Sequence, residues 1–221
     1  MKKILLIVGE STGYRIVREI ISIKSVIFTM IISADSKYDM MINNLCIKNK
    51  IEFMNKKTFN KSKKKVFLCA KNSDFLLSIY SSIIIPNNIF NSVKNHSLNL
   101  HPGILPYYPG KNCVSGAIYN SEKKIGATIH KMVTKVDSGD ILSIDSLSLS
   151  NLDTAISAME KLKILSLKMI KHLILDIVNN KKLIFKKNNL TKKKFFPKYI
   201  PNRGYINKHL SNEKLLRLYK A

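Results

Sequence analysis

The chain has 221 residues and is 45% apolar, enough to bury a sizeable core in one domain with a small appendage, which excludes a disordered polypeptide. Its longest apolar stretches, 26–33 and 79–85, fall far short of the roughly 20 residues a membrane helix needs, so no transmembrane span is expected. The formal charge of +24 would ordinarily point to polyanions such as nucleic acid or nucleotide phosphates. Lysine is accompanied everywhere by isoleucine and asparagine, however, the mark of a compositional bias on solvated positions, and no nucleic-acid partner is expected.

Met1-Lys2-Lys3 and the apolar run up to Gly9 imitate a secretory signal. Glu10, Arg15, Arg18 and Glu19 follow at once, so a buried first strand is expected instead. Residues 12–23 carry Ile16, Val17, Ile20 and Ile21 at helical spacing, and 26–33 is a second run rich in Ile. A β-α-β opening implies a parallel sheet. Gly9 and Gly13 flank the strand-to-helix turn, with Ser11 or Thr12 as N-cap, and an anion can sit at that terminus, although the pattern is not G-x-G-x-x-G.

Residues 35–50 read as a helix, and 51–53 and 66–70 as short strands around a lysine-rich loop. The apolar segment 74–85 is punctuated by Pro86-Asn87-Asn88 before a short helix or turn through Val93. A strand over 97–100, a helix over 112–121 and strands over 125–133 and 141–149 follow. A long helical pattern then fills 153–179 from an Asp153 or Thr154 cap. From Lys181 onward thirteen basic residues face the single acid Glu213, with Phe185, Phe195, Phe196, Tyr199 and Tyr205 interleaved. Such a stretch can bind nucleic acid by stacking and charge. A β-hairpin followed by a helix over 212–220, opened by Ser211, is favoured, because no nucleic-acid module accompanies it. The expected architecture is α/β: an open, mostly parallel twisted sheet with helices on both faces over 1–180, and a hairpin and helix appendage over 181–221.

Cys46, Cys69 and Cys113 are odd in number and not closely spaced, which favours reduced thiols in the cytoplasm over disulfides or a metal site. Cys113 fits a small buried apolar residue, with a catalytic thiol as the alternative.

The densest chemistry lies in Asn99-Leu-His101-Pro-Gly-Ile-Leu-Pro106 and, after an interval, Val136-Asp137-Ser-Gly139-Asp140. Asn99 and His101 stand two apart on a strand, so their side chains share a face. Pro102 and Gly103 end that strand and place the pair at its carboxyl edge, where open α/β sheets hold their ligand crevices. Asp137 enters from a loop, and an amide, an imidazole and a carboxylate together suit acyl transfer. His130 sits inside an alternating segment with Thr128 on its face and reads as a buried, hydrogen-bonded histidine rather than a catalyst.

Residues 74–142 resemble the folate-dependent formyltransferase family. Asn99-Leu-His101-Pro102-Gly-Ile-Leu105-Pro106 is similar to its N-x-H-P-x-x-L-P strand end, Tyr108-Pro-Gly110 to its Y-x-G turn, Gly126-Ala-Thr128-Ile-His130 to G-x-T-x-H, and Asp137-Ser-Gly139-Asp140 to D-x-G-D. Gly103 departs from the family's usual serine. The resemblance implies a formyltransferase-type Rossmann-like fold, Asn99, His101 and Asp137 as catalytic residues, N10-formyltetrahydrofolate as formyl donor, and no metal. The Asn99 amide and a protonated His101 would meet charge gathering on the formyl oxygen, while Asp137 would favour the imidazolium or collect the amine proton. By ungapped position the family's folate pocket falls on Ser81, Ile83, Ile85 and Phe90, then Val133, Thr134, Lys135 and Val136, much of it through backbone groups.

Members acting on glycinamide ribonucleotide carry histidines after Y-x-G and a G-S-N loop after the first strand. Here Lys111, Asn112, Cys113 and Val114 follow Gly110, and Glu10-Ser11-Thr12 follow Gly9, which leaves the purine enzyme as the runner-up. Methionyl-tRNA formyltransferases carry a further carboxyl-terminal barrel, and the hydrolase relative an amino-terminal domain, for which 221 residues leave no room. Phe195-Phe196-Pro197, Gly204-Tyr-Ile206-Asn207 and 215–221 resemble a tail segment of sugar and tRNA formyltransferases, with Asn207-Lys208 in place of its Asp-Trp pair. The resemblance thus implies formylation of a nucleotide-activated, dTDP-linked 4-amino-4,6-dideoxy sugar for a bacterial surface polysaccharide such as an O-antigen. Gly9, Tyr108, Gly110, Lys111, Asn112, Phe196 and Tyr199 would hold that substrate, and a homodimer would join near 181–200. A basic nucleic-acid-binding protein on a degenerate fold is the remaining, non-enzymatic alternative.

Overall fold

In the computed structural model, residues 1–192, 205–206 and 209–221 are described. The chain opens with β1 (Lys2–Val8), α1 (Glu10–Ile20), β2 (Val26–Ser33), α2 (Ser36–Lys48) and β3 (Phe53–Asn55). Two short helices, α3 (Lys56–Lys61) and α4 (Lys63–Lys71), lead to β4 (Phe75–Ile79), α5 (Asn87–Phe90) and β5 (His96–His101). Then come α6 (Cys113–Tyr119), β6 (Lys124–Lys131), β7 (Ile141–Ser148), α7 (Ala155–Val178) and α8 (Asn212–Lys220). The sheet order is β3-β2-β1-β4-β5-β6-β7, parallel from β3 through β5 and antiparallel from β5 to β7. This is the open, mostly parallel α/β architecture expected.

Alternation along the strands explains the layers. Ile4, Leu6, Val8, Leu77, Ile79, Leu98 and Leu100 face one core with Ile16, Val17 and Ile20 of α1 and Leu162, Ile170 and Leu173 of α7. Leu5, Ile7, Met30, Ile32 and Leu76 face the other, with Phe59 of α3 and Val66 and Ala70 of α4. Strands covered on both faces read as near-continuous apolar runs, as β1 and β2 do. Helix starts follow local chemistry: Asp35 accepts from Lys37 N, Asn55 from Thr58 N, and Thr154 exchanges bonds with Ser157 in a capping box. Each such cap is worth about 1 kcal/mol.

Residues 66–70 are the turns of α4, not the expected strand. Val66 and Ala70 are the positions α4 buries, four apart on one helical face, and the preceding lysines are its first turn. A five-residue apolar run satisfies either period, and burial against Phe59 selects the helix. Of the expected hairpin, Lys186 bridges Ile141 antiparallel; its stretch 193–200 lies outside the described residues. The final helix is where the sequence places it, with Ser211 accepting from Lys214 N, and it rests on α6 through a bond from Ser115 to the Ala221 carbonyl. Among the described residues no helix is long and apolar enough to cross a membrane.

The antiparallel turn of the sheet builds the site. β5 and β6 pair Asn99 with His130 and His101 with Thr128. Directly opposed residues of an antiparallel pair project to the same face, so these four side chains stand together.

Candidate active site

Asn99, His101 and Asp137 meet at the carboxyl end of β5. His101 and Asp137 are buried, at 4% and 5% exposure, and Asn99 is half-buried. Asp137 arrives on the loop after β6, with its backbone in the left-handed region at φ 54°, a conformation that Asp adopts more readily than most non-glycine residues. One carboxylate oxygen, Oδ2, lies 3.6 Å from His101 Nδ1 and accepts from Gly110 N at 2.8 Å. The other, Oδ1, lies 3.4 Å from His130 Nε2. Asn99 Nδ2 is 3.2 Å from that same His130 nitrogen, which either accepts from Asn99 or donates to Asp137 and so places both side chains against one edge of the ring.

His130 is therefore part of the cluster, which the sequence reading set aside as packing. Its burial was foreseen; its neighbours were not, because Asp137 reaches it from a loop. Its Nδ1 donates to the Lys131 carbonyl at 2.8 Å, which fixes Nε2 as the atom facing Asn99 and Asp137.

The His101 ring is held from behind. Its Nε2 donates to the Tyr108 carbonyl at 2.7 Å, and Cys113 Sγ lies 3.4 Å from the same nitrogen. Nδ1 is thus the atom turned to the carboxylate. Burial lowers the His101 pKa, and the Asp137 charge and the Tyr108 carbonyl, which act the other way, do not offset it. A lowered pKa favours the neutral ring over the imidazolium at neutral pH. Burial is also the largest influence on Asp137 and pushes its pKa up. The bond from His130, the attraction of His101 when it is protonated and the Gly110 N–H together outweigh it and hold the carboxyl below its usual range.

Burial pushes the Cys113 thiol up to about 12, so a thiolate nucleophile there is excluded at neutral pH. Gly103 explains how the thiol fits. A Cβ at this position would lie 2.5 Å from the Tyr108 carbonyl oxygen, 2.7 Å from His101 Nε2 and 3.1 Å from Cys113 Sγ. Gly110, at φ 87°, takes a turn that favours glycine and delivers its N–H to Asp137.

The two loops assigned to the donor are adjacent. Asn87 Nδ2 donates to Thr134 Oγ1 at 3.0 Å, tying 81–90 to 132–137. Ile83, Ile85 and Phe90 point into the core, and Ser81 Oγ accepts from Ile83 N, so these side chains support the loop. Its outward face is Ile84, opposite the exposed Val133, Thr134, Lys135 and Val136.

The expected substrate residues divide. Lys111 and Asn112 are exposed beside Gly110. Tyr108 is buried and its hydroxyl donates to Glu122 at 2.6 Å, so its ring offers no face for stacking, and its contribution is the carbonyl that holds His101. Gly9 N donates to the Ile79 carbonyl, and Glu10 sets its own carboxylate at the start of α1, where an anion was expected. Phe196 and Tyr199 lie outside the described residues.

Comparisons with known proteins bear on the family and the fold. Over 177 residues the chain is 30% identical to the bifunctional polymyxin resistance protein ArnA of Wigglesworthia glossinidia brevipalpis, covering 79% of this chain and 27% of that protein. The matches to curated relatives span between 27% and 39% of those proteins' lengths. A 4-N formyltransferase from Francisella tularensis superposes with a TM-score of 0.79 at 22% identity, covering 99% of this chain and 87% of that one. The N-formyltransferase from Helicobacter canadensis, solved with folinic acid and dTDP-3-aminofucose, gives 0.75 at 18% identity over 100% of this chain and 80% of its own. The family model described as formyl transferase matches residues 27–174, a span that holds the whole cluster, and the chain belongs to that family.

Proposed function

We propose that this chain transfers a formyl group from N10-formyltetrahydrofolate to the amino group of a nucleotide-activated, dTDP-linked 4-amino-4,6-dideoxy sugar, in the cytoplasm, for a bacterial surface polysaccharide. The observation that carries this is the contact of Asp137 with His101 on one oxygen and His130 on the other, with Asn99 beside His130. Support for a sugar acceptor comes from the Helicobacter protein, solved with dTDP-3-aminofucose, whose match covers 100% of this chain.

The roles follow from the geometry. The donor, when bound, supplies a formyl carbon on a nitrogen that can depart. Asn99 Nδ2 is the donor available to the formyl oxygen as negative charge builds there; such a preset donor is worth about 3 kcal/mol in comparable sites. Neutral His101, with Nδ1 facing Asp137, takes the proton that the amine sheds as it becomes an amide. The ionised carboxylate stabilises that proton on the ring, which would then be the acid available to the departing nitrogen. His130 keeps Asn99 and Asp137 in register, and Tyr108 and Cys113 hold the far side of the His101 ring.

The test is an assay of the purified chain with N10-formyltetrahydrofolate and a panel of dTDP- and GDP-linked 3-amino and 4-amino sugars, following the mass of one added CO. Turnover with a dTDP-linked 4-amino sugar is the expected result. Turnover with glycinamide ribonucleotide alone would move the chain to purine synthesis.

A further inference from the structure

Past α7 the chain returns to the loop that carries Asp137. Lys186 exchanges two backbone bonds with Ile141, each 2.8 Å long, and so pairs with the first residue of β7. The Phe185 ring stands edge-on to His96, with centroids 5.0 Å apart, and has the Lys131 ammonium 4.2 Å from its own centroid. Two residues past Lys186, Asn188 is buried, at 6% exposure. Its Nδ2 donates to the Asp137 carbonyl at 3.1 Å and to the Gly139 carbonyl at 3.2 Å.

Two carbonyl oxygens demand a donor, so the amide nitrogen faces the loop, and its two N–H groups serve both from one short side chain. Oδ1 is buried without a hydrogen-bond partner among the described residues. Burying an amide with one end unpaired costs stability, so fastening the segment after α7 does not by itself account for this residue. The gain lies at the loop. Asp137 stands in the left-handed region and sets its carboxylate between His101 and His130. Pinning the carbonyls on both sides of Ser138 fixes the backbone from which that side chain departs. Where a displacement of about 1 Å costs about 10²-fold in rate, such pinning governs the chemistry.

Resting on the formyl-transfer reading of the site, we propose that Asn188 is a positioning residue, whose amide fixes the Asp137 turn and so aims its carboxylate at His101 and His130. The segment after α7 is then part of the active site, although it carries no group that touches the reacting atoms. The ordinary alternative is that Asn188 only anchors this segment, so that its loss loosens the fold without singling out Asp137.

The experiment pairs amide hydrogen exchange, followed by NMR on the full chain, with steady-state rates. The Gly110 N–H, which donates to Asp137 Oδ2, reports where the carboxylate stands without any substrate. In Asn188→Ala it is expected to exchange about tenfold faster, while the amides of β1 keep their rates. The value of kcat should fall about tenfold and the donor KM stay within about twofold. Added to Asp137→Asn, the same substitution should cost no further rate, because both act through one carboxylate. Asn188→Ser, which keeps a single donor, should lie between, and it is read by the same criteria if Asn188→Ala does not fold. Unchanged exchange at Gly110, exchange raised uniformly across the sheet, or an equal rate loss with and without Asp137→Asn would each overturn the proposal. Absence of turnover by the wild type with any acceptor would instead overturn the formyl-transfer reading, and exchange at Gly110 would still decide whether Asn188 places Asp137.

Discussion

Gly110 donates its backbone N–H to Asp137 Oδ2 over 2.8 Å, which ties the turn after β5 to the carboxylate of a loop twenty-seven residues later. That bond fixes one oxygen of Asp137, so its other contacts are set by where β6 ends. Asp137→Asn keeps an acceptor for Gly110 and should fold, with a melting temperature within a few degrees of the parent. Formyl transfer should fall about 10²–10⁴-fold, since the stabilisation of a proton on His101 is lost. Steady-state rates beside a thermal melt check this, and a variant retaining most of its rate would remove Asp137 from the chemistry.

The pH dependence follows from His101. Its pKa is lowered from the ordinary 6.5, so the neutral ring that accepts a proton is already formed at pH 7. Asp137 is held below its usual value and stays ionised across the same range. The ratio kcat/KM should therefore be flat through neutrality and decline only below pH 6.5, as His101 takes up a proton before substrate arrives. An acid limb centred above pH 7 would contradict the assigned roles.

His130 provides a separate test. His130→Ala removes the bond that helps hold Asp137 low and also a neighbour that lowers the His101 pKa, so both should rise and the acid limb set by His101 should move to higher pH. The rate should fall about tenfold or more as Asn99 loses its partner, within the range assigned to positioned proton-transfer groups. His130→Gln, whose amide can donate to Asp137, should recover part of both effects. Unchanged pH profiles in both variants would return His130 to simple packing.

Gly103→Ala probes the packing behind the imidazole. The added Cβ would press on the Tyr108 carbonyl, the His101 ring and Cys113 at once. The expected cost is about 1–3 kcal/mol by urea titration. Activity should fall further than stability accounts for, because the ring is displaced. The double variant with Cys113→Ala should recover some of the loss.

A fourth substitution tests the fold away from the site. Thr154→Ala breaks the capping box that opens α7, and should cost about 1 kcal/mol in stability without altering KM.

The β-α-β opening and the site strand were legible because their signals are local: Ile-rich runs, helical spacing between them, and a proline that ends β5 beside two polar side chains. Residues 66–70 were not, since Val66 and Ala70 fit either period and only contact with Phe59 decides. The place of His130 was hidden for a related reason. Alternation in β6 shows that it is buried, but its partners are Asn99 on the neighbouring strand and Asp137 on a loop, and no spacing within 124–131 encodes them. Tyr108 misled in the opposite direction: an aromatic near a ligand turn suggests stacking, yet its hydroxyl is spent on Glu122 and its useful atom is a backbone oxygen every residue possesses. The resting charge of His101 depends on how deeply the ring is enclosed, which motifs do not record.

The reversal of strand direction after β5 has an evolutionary corollary. Because Asn99 and His130 are matched rung to rung, deletion or insertion of one residue inside β6 would turn the imidazole to the far side of the sheet and put Ile129 or Lys131 in its place. Length variation in this part of the molecule is then confined to the connection between α6 and β6. Drift of acceptor preference has room to act there while the reacting groups stay where they are.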